Sequence, residues 1–369
     1  MGDIRALQLA DLPSVARLFR RVYPQTDHLS EKRLCANFHT IFFENPWRED
    51  SEQPSLLYVE KGQVVGFLGL LPRAMLFEGR PIRAVISSHF MVDPDLGKPL
   101  PALLLMRQLL EGGQDLYLAT EANNGSRSVW EALGGEASLI GSMEWLRPLR
   151  PVGYVAYQLA KRALPARLGT AARFVGRSID LFRSRKIRSQ YPELQDLSGE
   201  TLSDATLLQC LQELVRDVPL RPQYDRDSLA WLLRLLEKKK GLGTLRRILV
   251  RDAAGEILGW YIYFLAPDDV SKALQFHARP KCLGAVIHHM FEDARSQGAL
   301  ALSGKLVPRF VEEVADDLCF YVHSGWLLVH SRSAEIRAAV NRGEIFLTRL
   351  EGEFWSSMQG ELEEPAVPA

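Results

Sequence analysis

His89 is the side chain whose type best suits it to move a proton, because imidazole titrates near neutral pH. It lies in Arg83 to Val92, an apolar run that reads as a strand. Ser87 and Ser88 precede it and could orient a water molecule. Glu121 is a second acid or base, standing just ahead of Asn123 to Gly135, Asn-Asn-Gly-Ser-Arg-Ser-Val-Trp-Glu-Ala-Leu-Gly-Gly. That stretch follows a strand-like Leu116-Tyr117-Leu118 and opens a helix ending at paired glycines. A strand histidine is often a hydrogen-bonded packing residue, and that reading stays open beside the catalytic one.

The elements that must position these residues are legible in order. Asp11-Leu12-Pro13 caps a first helix, with Val15, Leu18, Phe19 and Val22 at helical spacing. Leu56 to Val59, a Lys61-Gly62 turn and Val64 to Gly69 read as a hairpin. The strand from Arg83 ends in Val92-Asp93-Pro94-Asp95, and a helix from about Leu100 to Leu110 follows.

Residues 4–146, with Asn123, Ser126, Trp130, Glu131 and Gly134 in step, resemble the GNAT superfamily of N-acyltransferases. The resemblance implies an α/β fold (an α+β mixed sheet) with acetyl-CoA or another acyl-CoA as co-substrate and a small-molecule or peptide amine as acceptor. It places His89 where many members carry a glutamate base, and Trp130 where they often place a tyrosine general acid. An indole N–H gives up no proton at useful pH, so that acid role is missing. The co-substrate would be held by Met91, Val92, the loop residues Gly97, Lys98, Leu100 and Ala102, and by Asn123, Ser126 and Trp130. Such loops bind pyrophosphate through backbone N–H groups opening a helix. Here Pro99 and Pro101 remove two donors.

Lys+Arg and Asp+Glu both number 45, so net charge excludes neither an acidic nor a basic partner. Hydrophobic content of 47% and charged content of 24% are those of a globular protein, and 369 residues suggest two domains. Cys35, Cys210, Cys282 and Cys319 lack metal-ligand or disulfide spacing, which fits a reducing, cytoplasmic setting. His277, His288 and His289 have no Asp, Glu or Cys at ligand spacing, so no metal is expected.

Residues 147–199 read as a basic amphipathic connector, whose segment 152–188 either contacts an anionic membrane surface weakly or packs on its own domains. It lacks interleaved aromatics, so nucleic-acid binding is not indicated. Arg247 to Val250, a turn at Gly255, and Ile257 to Tyr263 repeat the first hairpin's plan. A strand at Lys272 to Ala278, a helix at Gly284 to Gln297, a strand at Ala299 to Ser303 and a helix at Leu306 to Asp317 follow. The expected organisation is a GNAT-like domain at 1–146, the connector at 147–199, a degenerate GNAT-like copy at 200–355 and an acidic tail at 356–369. Glu351 and Glu353 are grouped with that polar tail. The resulting expectation is an N-acyltransferase, against a catalytically inactive GNAT-like scaffold or binding protein. An aminoacyl-tRNA donor is a third possibility.

Overall fold

The computed structural model describes residues 2–48, 53–162, 197–307, 311 and 319–357. In chain order the elements are β1 (Asp3–Ala6), α1 (Leu12–Val22), α2 (Glu31–Phe42), β2 (Leu56–Glu60), β3 (Gln63–Phe77), β4 (Arg80–Val92), α3 (Leu100–Leu110), β5 (Leu116–Ala122), α4 (Asn124–Ala132) and β6 (Glu136–Ser138). Then come β7 (Met143–Pro148), α5 (Pro151–Arg162), β8 (Ser198–Thr201), α6 (Asp204–Glu213), β9 (Leu220–Pro222) and α7 (Arg226–Glu237). The last are β10 (Thr244–Arg251), β11 (Ile257–Leu265), β12 (Val270–Ala278), α8 (Leu283–Ser296), β13 (Ala301–Lys305), β14 (Phe320–His323), β15 (Trp326–His330) and α9 (Ala334–Arg342). No helix among the described residues is long and apolar enough to cross a membrane.

The chain forms two compact units, and they are not consecutive halves of the sequence. The first comprises Met1–Ser142, Val218–Lys238 and Ser324–Ala369, and the second Met143–Asp217 and Lys239–His323. The expected division is corrected accordingly. Residues 218–238 and 324–355 cluster with the first unit because β9 bonds β3 and β15 bonds β5. Residues 147–162 belong to the second unit, because β7 bonds β13 and β14 while Leu149 and Arg150 both donate to Leu300 O, at 2.9 and 3.0 Å. Beyond Arg162, the proposed membrane-contacting segment lies outside the described residues.

The first sheet runs β1-β2-β3-β4-β5-β15-β6, with β9 beside β3. It is antiparallel except where β4 meets β5. Its apolar alternation packs Leu68, Leu70, Val85, Tyr117 and Ala119 against Leu105, Met106 and Leu109 of α3 and Trp130 of α4. On α2, Ser30 Oγ caps Arg33 N at 3.2 Å, and Leu34, Phe38, Ile41 and Phe42 recur at helical spacing and are buried.

The second sheet runs β14-β7-β13-β12-β11-β10-β8 and repeats the plan, with its one parallel contact between β12 and β13. Val286, Ile287, Met290, Phe291 and Ala294 of α8 pack on Tyr261, Tyr263 and Phe276 of that sheet. Both units are mixed sheets flanked by helices. The helix expected at Leu306 to Asp317 lies almost wholly outside the described residues.

Candidate active site

The parallel ladder between β4 and β5 is short: Ala84, Val85 and Ile86 pair with Leu116, Tyr117 and Leu118. Beyond it Ser87–Val92 and Ala119–Ala122 have no partners on each other's strand, and a cleft opens between them. Its cavity volume is about 100 Å³, small beside the roughly 300–1,000 Å³ of most small-molecule sites. Its lining includes Tyr23, Ser87, Ser88, His89, Glu121 and Glu353.

A β-bulge sets His89 there. Phe67 of β3 pairs with Met91 and Gly69 with Ser88, so His89 and Phe90 together oppose Leu68. His89 adopts φ +50°, a left-handed conformation unusual for a residue with a Cβ. Strain of this kind concentrates at functional sites. Phe38, Phe42 and Phe19 surround the imidazole, with ring centroids 5.5, 5.8 and 6.0 Å from it.

The hydrogen bonds around His89 fix its tautomer. Ser356 Oγ donates to Glu353 O at 2.7 Å, which uses the only proton on that hydroxyl. The 2.9 Å contact between Ser88 Oγ and Ser356 Oγ must then be donated by Ser88. Ser88 has no second proton for His89 Nδ1, 2.8 Å away, so Nδ1–H is the donor there. A neutral ring bonded in this way has its lone pair on Nε2.

Glu353, read from the sequence as part of a tail, instead lies in the cleft. Its Oε1 accepts from Thr120 N at 3.0 Å and Glu121 N at 2.8 Å. Glu351 is fully enclosed, accepting from Tyr224 OH at 3.0 Å and Thr348 N at 2.8 Å. Both acids are drawn inward by specific donors. Tyr23, from the end of α1, was not singled out by sequence. Burial, and then the charge of Glu353, hold its phenol above the usual value, so it stays protonated at neutral pH.

Other expected site residues divide between cleft, loop and core. Asn123 Oδ1 caps α4 by accepting from Ser126 N at 2.8 Å, and both residues line the cleft. Glu121 is exposed at the same cleft. Trp130 is completely buried, and its indole N–H donates to Val329 O at 3.1 Å. It is a packing residue that walls the cleft. Met91 is buried, whereas Asp93 N donates back to Val65 O at 2.9 Å, so strand alternation turns Val92 N–H toward the side that β5 leaves open. Gly97 supplies the left-handed turn, φ +57°, between a short 3-10 turn and α3. Lys98 and Leu100 are exposed there and Ala102 is half-buried. Pro99 and Pro101 leave Leu100 and Ala102 as the N–H donors of the first turn.

Among the described residues no cluster of three or more His, Cys, Asp or Glu could hold a metal. His277 bonds Leu214 O at 2.9 Å, His288 bonds Gly284 O at 3.0 Å and His289 meets Tyr261 OH at 3.0 Å, so the three rings serve separate partners.

No family model matches the sequence, and no curated protein matches it. Solved structures do match. A conserved protein of Enterococcus faecalis V583, described as a probable N-acyltransferase, superposes with TM-score 0.58 over 90% of this chain and 73% of its own, at 8% identity. A GCN5-related N-acetyltransferase from Anabaena variabilis ATCC 29413 gives TM-score 0.58 over 89% and 72%, at 12% identity. The chain has a GNAT-like fold. A GCN5-related N-acetyltransferase from Kribbella flavida, at TM-score 0.51 and 14% identity over 89% of this chain and 71% of its own, agrees. In this GNAT-like fold the cleft lies where a parallel pair separates, and all its lining residues belong to the first unit. The second unit has the matching short ladder, Val270 to Lys272 with Ala301 to Ser303.

Proposed function

We propose that the first unit is an N-acyltransferase that moves an acyl group from acetyl-CoA or a longer acyl-CoA to an amine. The observation that supports this reading is His89, lifted into the cleft by a bulge with its Nδ1 2.8 Å from Ser88 Oγ. Acyl transfer to nitrogen needs such a base, because the attacking amine must lose a proton as the C–N bond forms. Nε2 takes that proton directly or through water. The thioester C–S bond then breaks and its electron pair leaves on sulfur. Tyr23 retains its phenolic proton and can donate a hydrogen bond to the departing thiolate, supplying the function that Trp130 lacks. Val92 N–H, the first-turn donors Leu100 and Ala102, and the Lys98 ammonium would hold the co-substrate.

Two prolines in the first turn of α3 favour a second reading, a GNAT-like scaffold that binds a partner without transfer. Isothermal titration with acetyl-CoA separates the two. Binding, followed by thiol release with a panel of amines, supports the enzyme. Absence of any heat at millimolar acetyl-CoA sinks it. Replacing Pro99 and Pro101 by glycine should tighten binding if missing N–H donors limit the cradle.

A further inference from the structure

Ser356 belongs to a short 3-10 turn, Phe354–Ser356, in which its neighbour Trp355 is fully buried. Ser356 N and Oγ both donate to Glu353 O, at 3.0 and 2.7 Å, so the turn is closed on itself. The indole next to it is what the turn rests on. The Trp231 ring of α7 meets it edge-on with centroids 5.3 Å apart, and the Arg73 guanidinium carbon of β3 lies 5.3 Å from its centroid. Trp47 packs on the same guanidinium at 4.2 Å. Arg73 also reaches the start of the segment, where Nη2 donates to Leu350 O at 3.1 Å. One side chain therefore grips both ends of 350–355, by a hydrogen bond at Leu350 and a cation–π contact at Trp355. Just past the second grip, Ser356 Oγ meets Ser88 Oγ at 2.9 Å, and Ser88 Oγ meets His89 Nδ1 at 2.8 Å. All of these residues belong to the first unit.

We propose that Arg73 is a positioning residue for the acyl transfer, acting through Trp355 and Ser356 to hold the Ser88 hydroxyl against His89 Nδ1. This rests on the acyl-transfer reading of the cleft and adds a residue that touches neither the substrates nor the reacting atoms. Displacing the turn by about 1 Å would carry the Ser356–Ser88 contact beyond hydrogen-bonding distance. A misplacement of that size, made far from the chemistry, can lower a rate by up to about 10²-fold. The arginine suits the task because a flat guanidinium stacks on rings while donating in its own plane, whereas an ammonium is a point charge. The indole serves by its face, since Trp355 Nε1 has no hydrogen-bond partner among the described residues.

The test compares Trp355→Leu, Trp355→Phe and Arg73→Lys in the full chain. Nitrogen NMR reads the His89 ring, and thiol release from acetyl-CoA with the best amine of the panel reads turnover. Phenylalanine keeps an aromatic face and gives up no hydrogen bond here, while leucine removes the face. Lysine keeps the positive charge beside Glu351 and loses the stacking plane. The leucine and lysine variants should lower kcat about tenfold with KM for acetyl-CoA unchanged, and the His89 nitrogen signals should leave their wild-type positions. Trp355→Phe should keep both near wild type. On a Ser356→Ala background, Arg73→Lys should lower kcat by less than about twofold more, because the path to His89 is already cut. Wild-type His89 signals in a folded Arg73→Lys or Trp355→Leu protein overturn the proposal, and so does a full further loss on the Ser356→Ala background. If the leucine variant does not fold, Arg73→Lys decides, since it retains the charge. The ring signals need no turnover, so signals that move in a protein releasing no thiol support the positioning and sink the acyl-transfer reading alone.

Discussion

Ser356 Oγ lies 2.9 Å from Ser88 Oγ, a hydrogen bond across 268 positions of sequence that decides which nitrogen of His89 carries the proton. Replacing Ser356 by alanine frees the Ser88 proton to turn toward Nδ1, which moves the imidazole hydrogen to Nε2. Turnover should then fall about tenfold, equivalent to roughly 1.4 kcal/mol, with acetyl-CoA affinity unchanged. Nitrogen NMR of the histidine ring should show the tautomer change directly. An unaltered tautomer in Ser356→Ala removes the relay from the account.

His89→Ala removes the base itself. Turnover should drop by roughly 10²–10⁴. Acetyl-CoA affinity should hold, since the expected cradle lies at α3. A parallel loss of folding stability without any loss specific to turnover would make the ring a packing residue within its three phenylalanines.

Arg73 is buried between indoles, its guanidinium carbon 4.2 Å from the Trp47 ring centroid and 5.3 Å from that of Trp355. Nη2 donates to Leu350 O at 3.1 Å, whereas Nε and Nη1 have no hydrogen-bond partner among the described residues. Burial pushes this guanidinium down and the Glu351 carboxyl up, so each charge depends on the other for compensation. Arg73→Met or Glu351→Gln alone should cost about 3–5 kcal/mol, and the double variant less than the sum of the two. Urea unfolding of the four proteins gives the coupling. Additive losses would show that the two charges do not compensate one another.

Acid should weaken the second unit through His289. Burial holds this imidazole below its ordinary value of 6.5, partly opposed by Asp293. The unfolded chain therefore binds more protons between the folded value and 6.5, and stability is lost as pH falls through that window. The urea midpoint should decline between about pH 7.5 and pH 5.5. His289→Gln should flatten the decline, and an equally steep one would place the acid sensitivity elsewhere.

Local elements were readable because their signals are local. The helix expected at Leu100 to Leu110 is α3 with those bounds, and the strands around Val64, Arg83 and Leu116 appear as β3, β4 and β5. The α2 helix escaped notice although Ser30 caps it and its apolar spacing is regular. His89 could be nominated from its type and strand, but nothing nearby in sequence announces Ser356. Glu351 and Glu353 looked like tail residues because a charge-rich, proline-flanked stretch gives no hint of donors on Thr120, Glu121 and Tyr224. Strand partners were hidden for the same reason. Pairing of β15 with β5 joins Trp326 to Ala122, and no periodicity within either strand names the other.

That pairing has a consequence for how the protein is made. A ribosome delivers β4 and β5 early, yet β15 and the segment carrying Glu353 and Ser356 emerge only after the strands of the second unit. One side of β5 must therefore wait unpaired through most of synthesis, exposed to wrong partners as delayed strand edges are. The cleft cannot be completed on a nascent chain that stops short of Ser356. The proposed chemistry is thereby tied to a chain that extends past Ser356, and fragments ending earlier should carry the fold's first hairpin without the completed cleft.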